Sequence, residues 1–198
     1  SSFASDSKKF NNLINVPLDM MKDKPQECTK YYSDQVCDAI SKLSQRLDWN
    51  VIDKVLQAIH DSDSVAFFGT QFSHSAALHF QTDLLMLEKF TMAYMETERQ
   101  IDCARLMDEN SVAIIVTVNG FYARSNSKVL QYLKKSKCKV VLMTNNPGID
   151  IGINVNYTIV LGDSEQRKIG KHTLLTAVEL MSLRYYSLYY PGIQEKII

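Results

Sequence analysis

Residues 64–80 read SVAFFGTQFSHSAALHF, and residues 112–146 read VAIIVTVNGFYARSNSKVLQYLKKSKCKVVLMTNN. In both stretches a short β-prone run, Val65–Phe68 or Val112–Val116, meets a loop with a glycine and small hydroxyl or amide side chains. Helical spacing follows at once, carried by Ala77, Phe80, Leu84 and Leu87 in the first and by Val129, Leu130 and Leu133 in the second. The apolar runs are too short for core helices and show little polar alternation, which is how strands buried on both faces of a parallel sheet read. Met92–Met95, Val140–Met143 and Tyr157–Leu161 repeat the pattern, making five runs. This alternation predicts an α/β fold: a doubly wound, mainly parallel five-stranded sheet flanked by helices, with right-handed crossovers.

Outward from this centre the patterns become purely helical. A C-terminal helix is expected over about 171–190, with Leu174, Leu175, Val178 and Met181 facing inward. Its tyrosines, Tyr185, Tyr186, Tyr189 and Tyr190, read as packing or as a subunit contact rather than a stacking platform. On the other side, Val51, Ile52, Val55, Leu56 and Ile59 mark a helix that Asp48 or Asn50 can cap. Before it, Val36, Ala39, Ile40, Leu43 and Leu47 mark an amphipathic helix over roughly 30–47. The first 25 residues are polar and read as a linker or one short helix around Lys9–Ile14. The expected division is an N-terminal linker and helix over 1–48 and an α/β sandwich over 49–198.

Composition excludes several classes. The 198 residues carry 22 Lys+Arg against 22 Asp+Glu, a formal net charge of zero, and 45% are hydrophobic. A neutral chain lacks the basic footprint of nucleic-acid binding, so these residues are not expected to bind DNA by themselves. Cys28, Cys37, Cys103 and Cys138 show no C-x-x-C spacing, and reduced thiols in a cytoplasmic protein are the expectation. No apolar run approaches the roughly 20 residues of a membrane span and no signal peptide is visible, so no membrane partner is expected. The chain opens on Ser rather than Met, which suggests processing or a missing upstream segment. P-loop, G-x-G-x-x-G and G-x-S-x-G patterns are absent, and His60, His74, His79 and His172 form no H-E-x-x-H or Cys/His cluster. Neither a metal nor a cofactor is expected.

In an open parallel sheet, ligands bind beyond the carboxyl ends of the strands, where helix N-termini present free N–H groups. The first strand is followed by Gly69, Thr70, Gln71, Phe72 and Ser73. The third leads into Thr117, Val118, Asn119, Gly120, Phe121 and Tyr122, and the fourth into Thr144, Asn145, Asn146 and Pro147. Hydroxyls, amides and backbone N–H groups on one rim suit a polyhydroxylated, anionic ligand such as a sugar phosphate. Any one such loop is better explained by the ordinary use of Ser, Thr and Asn as caps and turn formers. Three on one rim favour a site.

The two quoted stretches resemble the SIS (sugar isomerase) fold over roughly residues 45–190. In that family a G-x-G-x-S loop follows the first strand, and an S-x-S-G-x-T loop after a later strand holds the phosphate. Gly69 and Ser73 match the first loop, with Gln71 in place of its second glycine. In the second loop Thr117 and Gly120 match, Asn119 replaces the middle serine and Tyr122 the final threonine. Arg124 stands where family members often have an acid, and a guanidinium suits phosphate oxygens. The N-terminal segment resembles the connector of RpiR-type transcriptional regulators, in which a helix-turn-helix domain precedes a phosphosugar-sensing SIS domain.

The resemblance therefore implies an effector-binding domain for a sugar phosphate or amino-sugar phosphate, touching DNA only through a missing N-terminal domain. The implied ligand-binding residues are Gly69, Thr70, Gln71, Ser73, Thr117, Asn119, Gly120, Tyr122, Arg124 and Thr144. A homodimer or tetramer is implied as well, since such domains pair and a palindromic operator needs two-fold symmetry. Two alternatives stand beside it. One is a stand-alone aldose–ketose isomerase, which needs a general base, for which Glu165, His74 and His172 are the candidates. The other is a degenerate SIS module kept for dimerisation.

Overall fold

The structure, a computed structural model, describes residues 17–118, 120–162 and 170–190. In chain order the elements are α1 (Leu18–Asp23), α2 (Pro25–Arg46), α3 (Trp49–Asp61), β1 (Ser64–Phe68), α4 (Phe72–Met86), β2 (Met92–Ala93) and α5 (Thr97–Leu106). Then come β3 (Ser111–Val116), α6 (Phe121–Ser125), α7 (Ser127–Ser136), β4 (Lys139–Thr144), β5 (Tyr157–Val160) and α8 (Gly170–Tyr189). The strands form one sheet in the order β2-β1-β3-β4-β5, and every pair is parallel. The doubly wound five-stranded sheet read from the sequence is the observed fold.

Strand residues divide between two cores because successive side chains point to opposite faces. Val65, Phe67, Val112, Ile114, Val116, Val141, Met143 and Ile159 pack under α3, α4 and α8. Ala66, Phe68, Ala113, Ile115, Val140 and Leu142 pack on the other face, with Cys103 and Ala104 of α5 and Val129, Leu130 and Leu133 of α7. Each fully buried Val, Leu, Ile or Phe contributes about 1.5–3 kcal/mol, so this double layer is the main stabilising term. Of the four cysteines three are buried, Cys37 is exposed, and all are free thiols.

The N-terminal region departs from the linker reading, since Leu18–Asp23 is helical and α2 begins at Pro25 rather than near residue 30. Proline at the first helical position has no N–H to lose there, and its fixed φ suits a helix start. The short helix expected around Lys9–Ile14 lies outside the described residues. Leu43 and Leu47 join the core beneath α3 and α8. The cap of α3 is Asp48, whose carboxylate accepts from the N–H groups of Asn50 (2.9 Å) and Val51 (3.3 Å).

Three further differences are local. β2, at the edge of the sheet, has two residues rather than four. The helix expected after β3 is broken into α6 and α7 at Asn126, whose side-chain amide donates to the Tyr122 carbonyl at 3.0 Å. No helix joins β4 to β5. The tyrosines of α8 serve as packing: Tyr185 is fully buried, and the His60 ring stacks on Tyr189 with centroids 3.8 Å apart.

Candidate functional site

The order β2-β1-β3-β4-β5 places the topological switch point between β1 and β3, where α4 leaves on one face and α5 returns on the other. The loops after β1 and β3 flank that crevice. The β1 loop starts close against the end of β3: a Cβ on Gly69 would lie 3.3 Å from the Val116 carbonyl oxygen and 3.1 Å from Ser73 Cβ. Both contacts are tight enough to make glycine the fitting residue at 69.

The β1 loop closes as a turn in which the Ser73 N–H donates to the Thr70 carbonyl at 3.1 Å. Gln71 occupies its first central position at φ 51°, ψ −122°, a region that a glycine adopts far more readily than glutamine. The glycine that the SIS pattern carries here thus has a backbone reason, and Gln71 takes the same shape under strain. Its side chain is exposed and makes no cap to α4. Thr70 and Ser73 are half-buried beside it.

The β3 loop turns at Gly120 with φ 75°, where a Cβ would collide with Ile149 Cδ1 at 1.8 Å. The Arg124 guanidinium lies on the same turn, one of its nitrogens 3.9 Å from that Cβ position. Thr117 is buried, and its hydroxyl accepts from the Tyr122 N–H at 3.4 Å. Asn119 lies outside the described residues.

Two of the expected ligand contacts are used structurally instead. Tyr122 is buried in the core under α5, and its phenol donates to Gln100 Oε1 rather than pointing at the rim. Burial lifts its pKa well above the usual tyrosine range. Thr144 is also fully buried, donating to the Val118 carbonyl (3.3 Å) and accepting from the Asn146 N–H (3.1 Å). A large aromatic at 122 sits there by burying its ring, and the hydroxyl expected from the loop is missing from the rim.

Two residues outside the expected ligand set shape the rim, Gln100 and Asn145, the latter read from the sequence only as part of the loop after the fourth strand. Gln100, buried on α5, donates through Nε2 to the carbonyls of Gly69 (2.9 Å) and Tyr94 (2.7 Å) while accepting from Tyr122. One side chain thus ties the ends of β1, β2 and β3 together. Asn145, directly after β4, is fully buried with neither side-chain polar atom hydrogen-bonded. Nothing in the local pattern of a polar helix or an Asn-Asn turn marks either residue.

The two described histidine candidates are both held toward the neutral form. His74, in the first turn of α4, is buried, which lowers its pKa against an opposing pull from Glu96. His172, in the first turn of α8, is lowered by burial and then by Lys171, and its Nε2 is 2.5 Å from the Tyr32 hydroxyl of α2. Glu165 lies outside the described residues. Among those residues, no group of three His, Cys, Asp or Glu side chains could hold a metal ion, and no helix is long and apolar enough to cross a membrane.

The doubly wound 2-1-3-4-5 sheet of this chain matches that of solved structures with the SIS (sugar isomerase) fold. Solved structures carry the same architecture. The NanR protein of Vibrio vulnificus, complexed with ManNAc-6P, is 14% identical with a TM-score of 0.73, over 89% of this chain and 69% of that one. The sugar isomerase domain of an RpiR transcription factor from Sphaerobacter thermophilus is 13% identical with a TM-score of 0.61, over 84% and 97%. Phosphoheptose isomerase from Neisseria gonorrhoeae is 14% identical with a TM-score of 0.67, over 83% and 100%. No family model matches the chain, and no curated protein matches it in sequence.

Proposed function

We propose that this chain binds a phosphorylated sugar or amino sugar in the β1/β3 crevice and acts as the sensing module of an RpiR-like transcriptional regulator. The observation that carries the reading is the placement of the two motif loops at the switch point, with the Arg124 guanidinium against the Gly120 turn. Arg124 supplies a cation for the phosphate, while Thr70, Gln71 and Ser73 line the sugar side; Thr117, buried beneath the turn, supports its shape. Asn119 completes the phosphate loop as a hydrogen-bond donor. The sugar isomerase domain of an RpiR transcription factor and the NanR protein complexed with ManNAc-6P share this fold and support the sensing role. In this reading, α1 and α2 form the connector and 49–198 the binding domain. DNA is contacted by a helix-turn-helix domain outside these residues, and the protein works in the cytoplasm as a homodimer. The dimer is supported by the apolar side chains that α4 and α8 leave exposed, among them Leu78, Leu85, Met86 and Leu183.

A second reading, an aldose–ketose isomerase, is favoured by His74 and His172 being held neutral, as a general base requires. Calorimetry and thermal shift with N-acetylmannosamine 6-phosphate, glucosamine 6-phosphate, arabinose 5-phosphate and inorganic phosphate test both. A ligand at 100 times its Kd stabilises by about 2.7 kcal/mol. Arg124→Ala and Asn119→Asp should each weaken the sugar phosphate that binds, the latter by setting a carboxylate against the phosphate. Equal affinity in wild type and Asn119→Asp would remove the β3 loop as the phosphate site. Turnover of a bound sugar phosphate by the purified chain would decide for the isomerase.

A further inference from the structure

The carboxamide of Asn145 is completely buried, yet neither Nδ2 nor Oδ1 has a hydrogen-bond partner. Its backbone is ordinary, the N–H donating to the Val118 carbonyl at 3.1 Å, so the anomaly lies in the side chain. An unsatisfied buried polar group costs about 1–3 kcal/mol, and a native fold keeps one only where something else answers it. The carboxamide is aimed at the start of α8. A Cβ on Gly170, the first residue of that helix, would lie 3.0 Å from Nδ2 and 2.9 Å from Val118 Cγ1. Glycine at 170 is therefore what lets α8 begin against Asn145. The 20 residues of α8 give that end a full macrodipole, and its first N–H groups have no acceptor within the helix.

We infer that Asn145 and the first turn of α8 receive a hydroxyl group of the bound sugar, apart from the turn that takes the phosphate; this rests on the sugar-phosphate reading above. The chemistry of the two orphaned atoms selects the group. Nδ2 can only donate and Oδ1 can only accept, so the matching group must both accept and donate. A phosphate dianion only accepts: it would satisfy Nδ2 and be repelled by Oδ1. A hydroxyl satisfies both atoms, and its oxygen gains from the positive end of α8 as well. The cation, Arg124, lies at the Gly120 turn. Phosphate to the β3 loop and hydroxyl to Asn145 is the division that matches both atoms of the Asn145 carboxamide. Because Asn145 has no exposed surface in the free chain, the close contact of Gly170 with Val118 and Asn145 must open on binding.

The experiment is calorimetry on wild type and Asn145→Leu, a substitution of similar size with no polar atoms, using the four probes named above. The expected result is a loss of about tenfold to a hundredfold for the sugar phosphate, the scale of one or two hydrogen bonds, with inorganic phosphate unchanged. Unchanged sugar-phosphate affinity in Asn145→Leu would overturn the assignment while leaving the sugar-phosphate reading intact. Equal losses for sugar phosphate and inorganic phosphate would overturn it too, placing Asn145 with the phosphate or with the fold. If no sugar phosphate binds the folded wild type, that reading fails and this inference with it. Should Asn145→Leu not fold, the side-chain amide signals of Asn145 in ¹⁵N–¹H spectra of wild type decide. They should shift with the sugar phosphate and stay in place with inorganic phosphate; shifts with neither, as for an amide satisfied by ordered water, would overturn the inference.

Discussion

Replacing Gln71 by glycine should stabilise the protein, against the usual direction for a glycine substitution. Gln71 is at φ 51°, ψ −122° in the turn closed by the Ser73 N–H on the Thr70 carbonyl. A side chain held in such a sparsely populated region costs about 1–3 kcal/mol. Glycine releases that strain but adds about 0.5–1 kcal/mol of backbone entropy to the unfolded chain. The difference favours Gln71→Gly by about 1 kcal/mol, or 2–4 °C in Tm for a domain of this size. Little else changes, because the side chain is exposed and makes no cap to α4. Gln71→Ala is the control, since it keeps the Cβ and hence the strain. Urea denaturation and thermal melts of the three proteins give the test. At an ordinary exposed loop position alanine would be more stable than glycine, so the order Gln71→Ala above Gln71→Gly would refute the reasoning.

Other perturbations follow from the same contacts. Tyr122→Phe leaves Gln100 Oε1 buried without its donor and should cost about 1–3 kcal/mol in urea unfolding, although the ring is kept. Gly170→Ala should destabilise by about 1–3 kcal/mol, because the new Cβ meets Val118 and the Asn145 amide; a neutral result in thermal melts would mean that α8 starts less closely against β4. His74 and His172 both have pKa values below the ordinary 6.5, so between the two values the unfolded chain holds more protons than the folded one. Their stabilisation is complete above pH 6.5 and is lost as the pH falls below it, and His172→Asn should flatten the decline in Tm between pH 6.5 and 5.5. Carboxylates such as Asp53, held low by its hydrogen bonds to Arg184, lose their contribution only at lower pH. Asp53→Asn, on a pair nearly two-fifths exposed, should cost no more than about 1 kcal/mol in the same melts.

The site was partly legible. Glycines at 69 and 120 can be read because each is forced by its own backbone, through a close approach in one case and a positive φ in the other. The loop pattern puts Tyr122 at the rim, just past the turn, while its ring is buried in the core. Which way its ring points depends on the space that α5 leaves over β3 and on Gln100 being there to accept its proton. Thr144 was placed at the right strand end, but its hydroxyl is engaged by backbone groups of the neighbouring loop.

By itself the sequence determined the five strands, a doubly wound and mainly parallel sheet, and a capped start to α3 at Asp48 or Asn50, because these depend on periodicity, propensity and single-residue backbone chemistry. Only the tertiary structure decided what Gln100 and Asn145 do. Gln100 reaches the Gly69 carbonyl, 31 residues away in sequence, and Asn145 meets a helix that begins at Gly170. Such roles follow from which chain segments the folded sheet brings together, and no local pattern encodes that meeting.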